Sequence, residues 1–118
     1  MSCANYNYKS CNAVTIGYDF TSKITYQEGL FDFTDYTISM TIEDEEGNSI
    51  LSLAEVGDAT STGIYIPEPE KGYFYIQIRR VDSVSIATSN YLYYINILSS
   101  GDDLTPLLSG IMSFNKVV

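Results

Sequence analysis

Histidine and tryptophan are absent from this 118-residue chain, and positive charge is scarce: six Lys and Arg stand against fifteen Asp and Glu, a formal charge of −9. Without histidine, the common Ser–His and Cys–His arrangements for acyl transfer cannot be assembled. Two cysteines, Cys3 and Cys11, do not complete a tetrahedral zinc site in one chain. They lie in a polar N-terminal stretch and read as two free thiols. The shortage of Lys and Arg argues against nucleic acid, whose binding rests on neutralising phosphates, and against anionic membrane surfaces. No run of about 18 apolar residues occurs, so no bilayer span is expected. Neither GxGxxG nor a P-loop is present, and no cofactor is expected. The start, MSCANYNYKSCNAV, has no basic n-region and no apolar h-region. From this the chain is expected to stay in a cytoplasm, or to leave it without the secretory route.

What is present is apolar and aromatic. Hydrophobic residues make up 45% of the chain, with eleven tyrosines. The length is that of one domain, able to bury roughly 65% of its unfolded surface without disulfides or metal. Residues 1–12 are rich in Asn, Ser and Tyr and show no period. They read as a flexible arm, with Tyr6 and Tyr8 available to dock on a neighbour, and residues 13–118 read as a single folded domain.

From Val14 the pattern takes a period of two, which is that of a β-strand. Val14, Ile16, Tyr18 and Phe20 share a parity that Ile24 and Tyr26 continue, so residues 14–26 read as one bent strand or two short ones. YTISMTIE (36–43) alternates apolar Tyr36, Ile38, Met40 and Ile42 with Thr37, Ser39, Thr41 and Glu43, as a strand with one wet face does. DEEGN is a hairpin turn, with SILSLAEV (49–56) as the return strand. IYI (64–66) is a short strand stopped by Pro67 and Pro69. YFYIQIRR (73–80) sends Phe74, Ile76 and Ile78 in, and Tyr73, Tyr75, Gln77 and Arg79 out. VDSVSIATSN is a loop or a weak edge strand. YLYYINIL (91–98) and TPLLSGIMSF (105–114) flank the turn SSGDD, and Gly110 suggests a bulge or a close backbone approach. Helical periodicity is poor throughout. About seven short strands with turns every ~8–12 residues predict a sandwich or a barrel. Uneven strand lengths favour the sandwich.

GYDFTSKITY, DFTDYTISMTIEDEEGNSILSL, STGIYI, NYLYYINIL, SSGDD and TPLLSGIMSF together resemble the small Ig-like β-sandwich domain of tailed-bacteriophage structural proteins. That is the type found in the N-terminal part of baseplate upper proteins and in related tail or neck proteins. The marks are Asp19-Phe20, Asp35-Tyr36-Thr37, Glu46-Gly47-Asn48, Tyr91 with Tyr93, and Leu107-Leu108 with Gly110. They cover roughly residues 16–116, and Tyr94 stands where that family often has Asp. The resemblance implies an all-β, antiparallel Ig-like sandwich in a non-enzymatic virion protein of tail, neck or baseplate, assembled in the bacterial cytoplasm. Its partners would be other virion proteins and copies of itself.

Candidate chemistry is sparse. The densest acids, Glu43 to Glu46, fall on a hairpin tip, where the absence of burial leaves nothing to raise a carboxyl pKa; they read as a solvated turn. Ca²⁺ would require the Asp102-Asp103 tip to meet that one. The outward aromatic residues offer more. Tyr73, Tyr75 and Tyr94, with Arg79 and the arm residues Tyr6 and Tyr8, are the candidate protein-interface residues, because Tyr and Arg are enriched at such contacts. The Arg79-Arg80 pair is a plausible docking point for another copy's acidic loops. An alternative reading of the exposed tyrosines, Tyr65 included, is a host-surface or carbohydrate-binding module.

Overall fold

The computed structural model describes residues 11–116, with Cys11 as backbone only. The expectations for Tyr6, Tyr8 and the two cysteine side chains lie outside the described residues. Among the described residues, nine strands form two stacked sheets. Sheet A has the order β1-β9-β8-β3-β4, built from β1 (Cys11–Thr15), β9 (Leu104–Asn115), β8 (Ser89–Ser99), β3 (Tyr36–Glu43) and β4 (Ser49–Leu53). Sheet B has the order β2-β7-β6-β5, built from β2 (Phe20–Thr25), β7 (Tyr73–Ile78), β6 (Gly63–Tyr65) and β5 (Glu55–Val56). This is the expected sandwich, with more strands than the seven predicted because two apolar stretches are each divided between the sheets.

The first division falls at residues 16–19. Ile16 still pairs with Asn115, and Tyr18 N–H then closes a turn on Thr15 O at 3.1 Å. The chain crosses from sheet A to sheet B, and Tyr18, expected to share the inward parity of Val14, is 58% exposed. The second falls at Ala54, between β4 and β5. Two corrections concern the edges of the fold. Cys11 and Asn12, assigned to the arm, pair with Ile111 and Met112, so β1 starts before the apolar period is visible. The β1/β9 and β5/β6 pairs are parallel, within a fold otherwise antiparallel.

The core follows from parity. In β3, Ile38, Met40 and Ile42 are buried, and they lie opposite Ile97, Ile95 and Tyr93 of β8, buried in turn. Phe74, Ile76 and Ile78 of β7 supply the facing layer. Each such side chain contributes about 1.5–3 kcal/mol when fully buried, so a one-residue slip of β3 against β8 is not competitive. At the start of β8, Tyr91 Oη donates to Ala87 O at 2.6 Å. A tyrosine tied back to the backbone just upstream at this corner is a hallmark of Ig-like sandwiches.

The bulge expected at Gly110 lies elsewhere. Gly110 sits in register opposite Tyr93, and the register shifts where Ile95 faces Leu108 but Asn96 faces Pro106, leaving Leu107 as the extra residue. Pro106 lacks a ladder donor, and among the described residues β1 reaches along β9 only from Ile111, so that within them the proline occupies an open edge. β4 likewise covers β3 only from Met40, and there the Glu55 carboxylate accepts the free Ile38 N–H at 2.6 Å. Residues 81–83, expected in a loop or weak edge strand, join Arg80, the last residue of the expected 73–80 strand, in one helical turn, α1 (Arg80–Ser83), whose Ser83 hydroxyl accepts Gly17 N–H at 2.9 Å.

Between β2 and β3, residues 26–35 carry an aromatic cluster. The Phe31 ring lies 5.3 Å from Tyr26, 4.9 Å from Phe33 and 5.1 Å from Tyr36, and Phe33 meets Phe74 edge-on at 5.7 Å. Phe33 N–H bonds Pro69 O, and Tyr26 N–H bonds Gly72 O, both at 2.8 Å. The 66–72 connection is thereby locked to this loop.

Candidate functional site

β7 is flanked by β2 and β6, so its outward residues meet those of both neighbours. Tyr75 lies directly across from Tyr65 on one side and Lys23 on the other, and Gln77 lies across from Thr21. The Tyr65 and Tyr75 rings stack, with centroids 6.3 Å apart and planes 25° from parallel. Tyr73 meets Tyr75 edge-on at 5.8 Å, an arrangement aromatic quadrupoles favour. Lys23 Nζ sits 4.4 Å from the Tyr73 ring centroid. The Tyr73 hydroxyl donates to Glu68 Oε2 at 2.6 Å, and Glu68 also pairs with Lys71 at 3.4 Å. That hydrogen bond pushes the Tyr73 hydroxyl up to about 12. It also holds the Glu68 carboxyl below its ordinary value, with the Lys71 charge acting in the same direction.

Gln77 departs from expectation. Its parity is outward, yet it is 2% exposed. Its Nε2 donates to Asp58 O at 3.2 Å and Ser61 O at 2.9 Å, which pins residues 58–61 across the sheet. Asp58 orders the same loop by accepting Thr60 N–H at 2.8 Å and the Ser61 hydroxyl at 3.0 Å. Between loop and sheet lies a groove of about 460 Å³, lined by Thr21, Ala59, Tyr65, Pro67, Tyr75 and Gln77. Its upper wall could not be read from sequence, because GDATSTG carries a loop signal and nothing that says which residue it folds onto.

Tyr73, Tyr75 and Arg79 do share a face, as alternation requires, but Arg79 is not a free cation. Its Nη1 lies 3.7 Å from Asp19 Oδ2, and Nη2 donates to Thr21 Oγ1 at 3.1 Å. Asp19 Oδ1 accepts Arg80 N–H at 2.8 Å. Arg79 therefore braces the β1–β2 turn to the end of β7, and of the pair expected to dock a neighbour's acids, the Arg79 guanidinium is met internally by Asp19, which takes only the backbone N–H of Arg80. Tyr94 lies apart. It is 38% exposed on sheet A, beside a groove of about 530 Å³ formed with Asn96, Pro106, Leu107, Leu108 and Ser109.

The acidic hairpin tip is a turn held by its own hydrogen bonds. Asp44 Oδ1 accepts Glu46 N–H and Asn48 N–H, each at 2.9 Å, and Asn48 holds its carboxyl below the ordinary range. That is the opposite of what a general acid needs. The tip follows the end of β3, whereas Asp102-Asp103 follows β8, beside the start of β3. The two tips lie at opposite ends of sheet A and do not meet. Among the described residues, no three His, Cys, Asp or Glu are placed to hold a metal ion. None of their helices is long and apolar enough to cross a membrane.

No family model matches this chain, and no curated protein matches it. Among solved structures it is similar to CopC from Methylosinus trichosporium OB3b, with 13% identity and a TM-score of 0.53 over 93% of this chain and 88% of that one. At that identity the likeness is one of fold, and what the chain shares with that protein is the β-sandwich.

Proposed function

We propose that the chain is a non-enzymatic structural protein of a tailed-bacteriophage virion, an assembly or attachment subunit of tail, neck or baseplate that docks through the outer face of sheet B. The observation that carries docking is the Tyr65–Tyr75–Tyr73 row, three rings ordered by one another, by Lys23 and by Glu68. Rings held in place before contact lose little entropy on binding, which is why tyrosine anchors interfaces. The virion assignment is supported by the resemblance in sequence. Its marks fall on the turns and inward positions that build the sandwich: Asp19-Phe20 where β2 opens, Glu46-Gly47-Asn48 in the β3–β4 turn, and Tyr91 and Tyr93 in β8. Its partners are then other virion proteins and copies of itself.

Two measurements test this. Mass spectrometry of purified particles of the encoding phage should find the chain at a fixed ratio to other tail or neck proteins; a chain left in the lysate overturns the reading. Light scattering of the purified chain, with and without residues 1–12, should show self-association that Tyr65→Ser/Tyr75→Ser reduces. A monomer under all conditions removes the homo-oligomer and leaves attachment to a different virion protein.

A second reading, a carbohydrate-binding module, is favoured by one observation: the near-parallel Tyr65 and Tyr75 rings line a groove rather than a flat face.

A further inference from the structure

We propose that the groove on sheet B binds one uncharged pyranose ring of a glycan, with Tyr65 and Tyr75 as its stacking surfaces and Gln77 and Thr21 as its hydrogen-bonding pair. This deepens the second reading above and stands or falls separately from virion docking.

The lining decides the class of ligand. Thr21, Ala59, Tyr65, Pro67, Tyr75 and Gln77 contribute rings, short apolar groups, one primary amide and hydroxyls, and no ionised side chain. Burying a phosphate, carboxylate or ammonium against them would leave its charge unpaired, which is costly. A purely apolar ligand would strand the Gln77 Oε1 and the Thr21 O–H. A pyranose suits both halves, since its C–H faces are weakly positive against the negative face of an aromatic ring and its hydroxyls both donate and accept. At about 460 Å³ the groove lies near the lower end of the roughly 300–1,000 Å³ range of small-molecule sites.

The polar pair is already poised. Both hydrogen bonds of the Gln77 amide nitrogen go to the 58–61 loop, while Oε1 accepts none among the described residues. Thr21 Oγ1 accepts from Arg79 Nη2, so its O–H remains to donate. One sugar hydroxyl can donate to Gln77 Oε1 while another accepts from Thr21. The rings are ordered in advance, since Tyr73 packs edge-on against Tyr75 and is itself held by Lys23 and Glu68. The cost of ordering them on binding is correspondingly reduced.

The test is a titration of the isotope-labelled chain with maltotriose, lactose and chitotriose, followed by nuclear magnetic resonance. At least one sugar should move the resonances of Ala59, Thr21 and the Gln77 side-chain amide saturably, with a dissociation constant on the order of 1 mM. Tyr75→Ala should abolish the response. Thr21→Val, which keeps the shape and removes the hydroxyl, should weaken it by about tenfold, and it serves if the tyrosine variant does not fold. The proposal is overturned if none of the three sugars gives a saturable shift, if the shifts map to sheet A, or if they survive both variants. Should the sugars fail while Tyr65→Ser/Tyr75→Ser still reduces self-association, the groove proposal falls and docking through this face stands.

Discussion

The Tyr73 hydroxyl and the Glu68 carboxylate shift each other's titration in opposite directions, and each shift has a sign that can be measured. Tyr73 is pushed up to about 12 from 10.0, first by its hydrogen bond to Glu68. Between those two values the folded chain holds a proton that the unfolded chain has lost. Its contribution to stability is therefore complete below about 10 and is lost as pH rises through about 12. Glu68 is depressed from 4.5, so its contribution is complete above that value and is lost as pH falls through the lower, folded one. In Glu68→Gln, one tyrosine should return toward the ordinary range in a tyrosinate absorbance titration; an unchanged curve would remove the pair as the cause. Gly72 occupies φ +70, and a Cβ there would stand 2.8 Å from Phe31 O and 2.9 Å from Gly29 Cα. Gly72→Ala should cost about 1–3 kcal/mol in urea denaturation, through strain and displacement of the aromatic loop. Tyr91→Phe removes the corner hydrogen bond to Ala87 O and should cost about 0.5–1.5 kcal/mol by the same measurement. Burial raises the Tyr91 pKa, with the Asp44 charge second, so the hydroxyl remains a donor across neutral pH.

At the scale of the element, a strand is specified by which of its faces must be dry. β3 and β8 were legible because alternation is a local property and both strands have an inner face made of Ile, Met and Tyr. Ile95→Ala, at a fully buried position, should cost about 2–5 kcal/mol in denaturant midpoint analysis. Leu92→Ala, on the same strand but 37% exposed, should cost less than about 1 kcal/mol. Equal effects would mean that the register assigned to β8 is wrong. The candidate site was half legible in the same way. Alternation put Tyr73 and Tyr75 on the outer face, but it also put Gln77 there, and Gln77 is covered by a loop 16 to 19 residues away in sequence. The aromatic loop at residues 26–35 is not legible by alternation, because Phe31 and Phe33 stand in a segment with no strand-length period, although two Phe spaced by two in a connection are a usable signal.

The described residues span 43 × 29 × 25 Å and present surfaces of different character. Sheet B carries the tyrosine row, sheet A carries Tyr94 and exposed Leu104, and one end carries the acidic turn. A net charge of −9 makes copies repel one another at a distance, whereas the tyrosine contact is short-ranged. Self-association measured by light scattering should therefore strengthen as salt rises from low to physiological ionic strength, where screening acts over about 8 Å. Association that weakens with salt would mean that ion pairs carry the contact and that the tyrosine row does not.

Taken alone, the amino-acid order determined where most strands lie and which residues in them turn inward, because a period of two and a turn residue are written within a few neighbouring positions. Only the tertiary structure decided how those strands divide between two sheets, that Arg79 is met by Asp19, and that Tyr65 and Tyr75 stack opposite the sheet bearing Tyr94. The reason is distance along the chain. Arg80 N–H reaches Asp19 across 61 residues, and the loop that walls the groove is fixed by an amide on a strand formed later in the sequence. Such contacts are selected by the packing of one sheet on the other, for which no short stretch of sequence carries a signal.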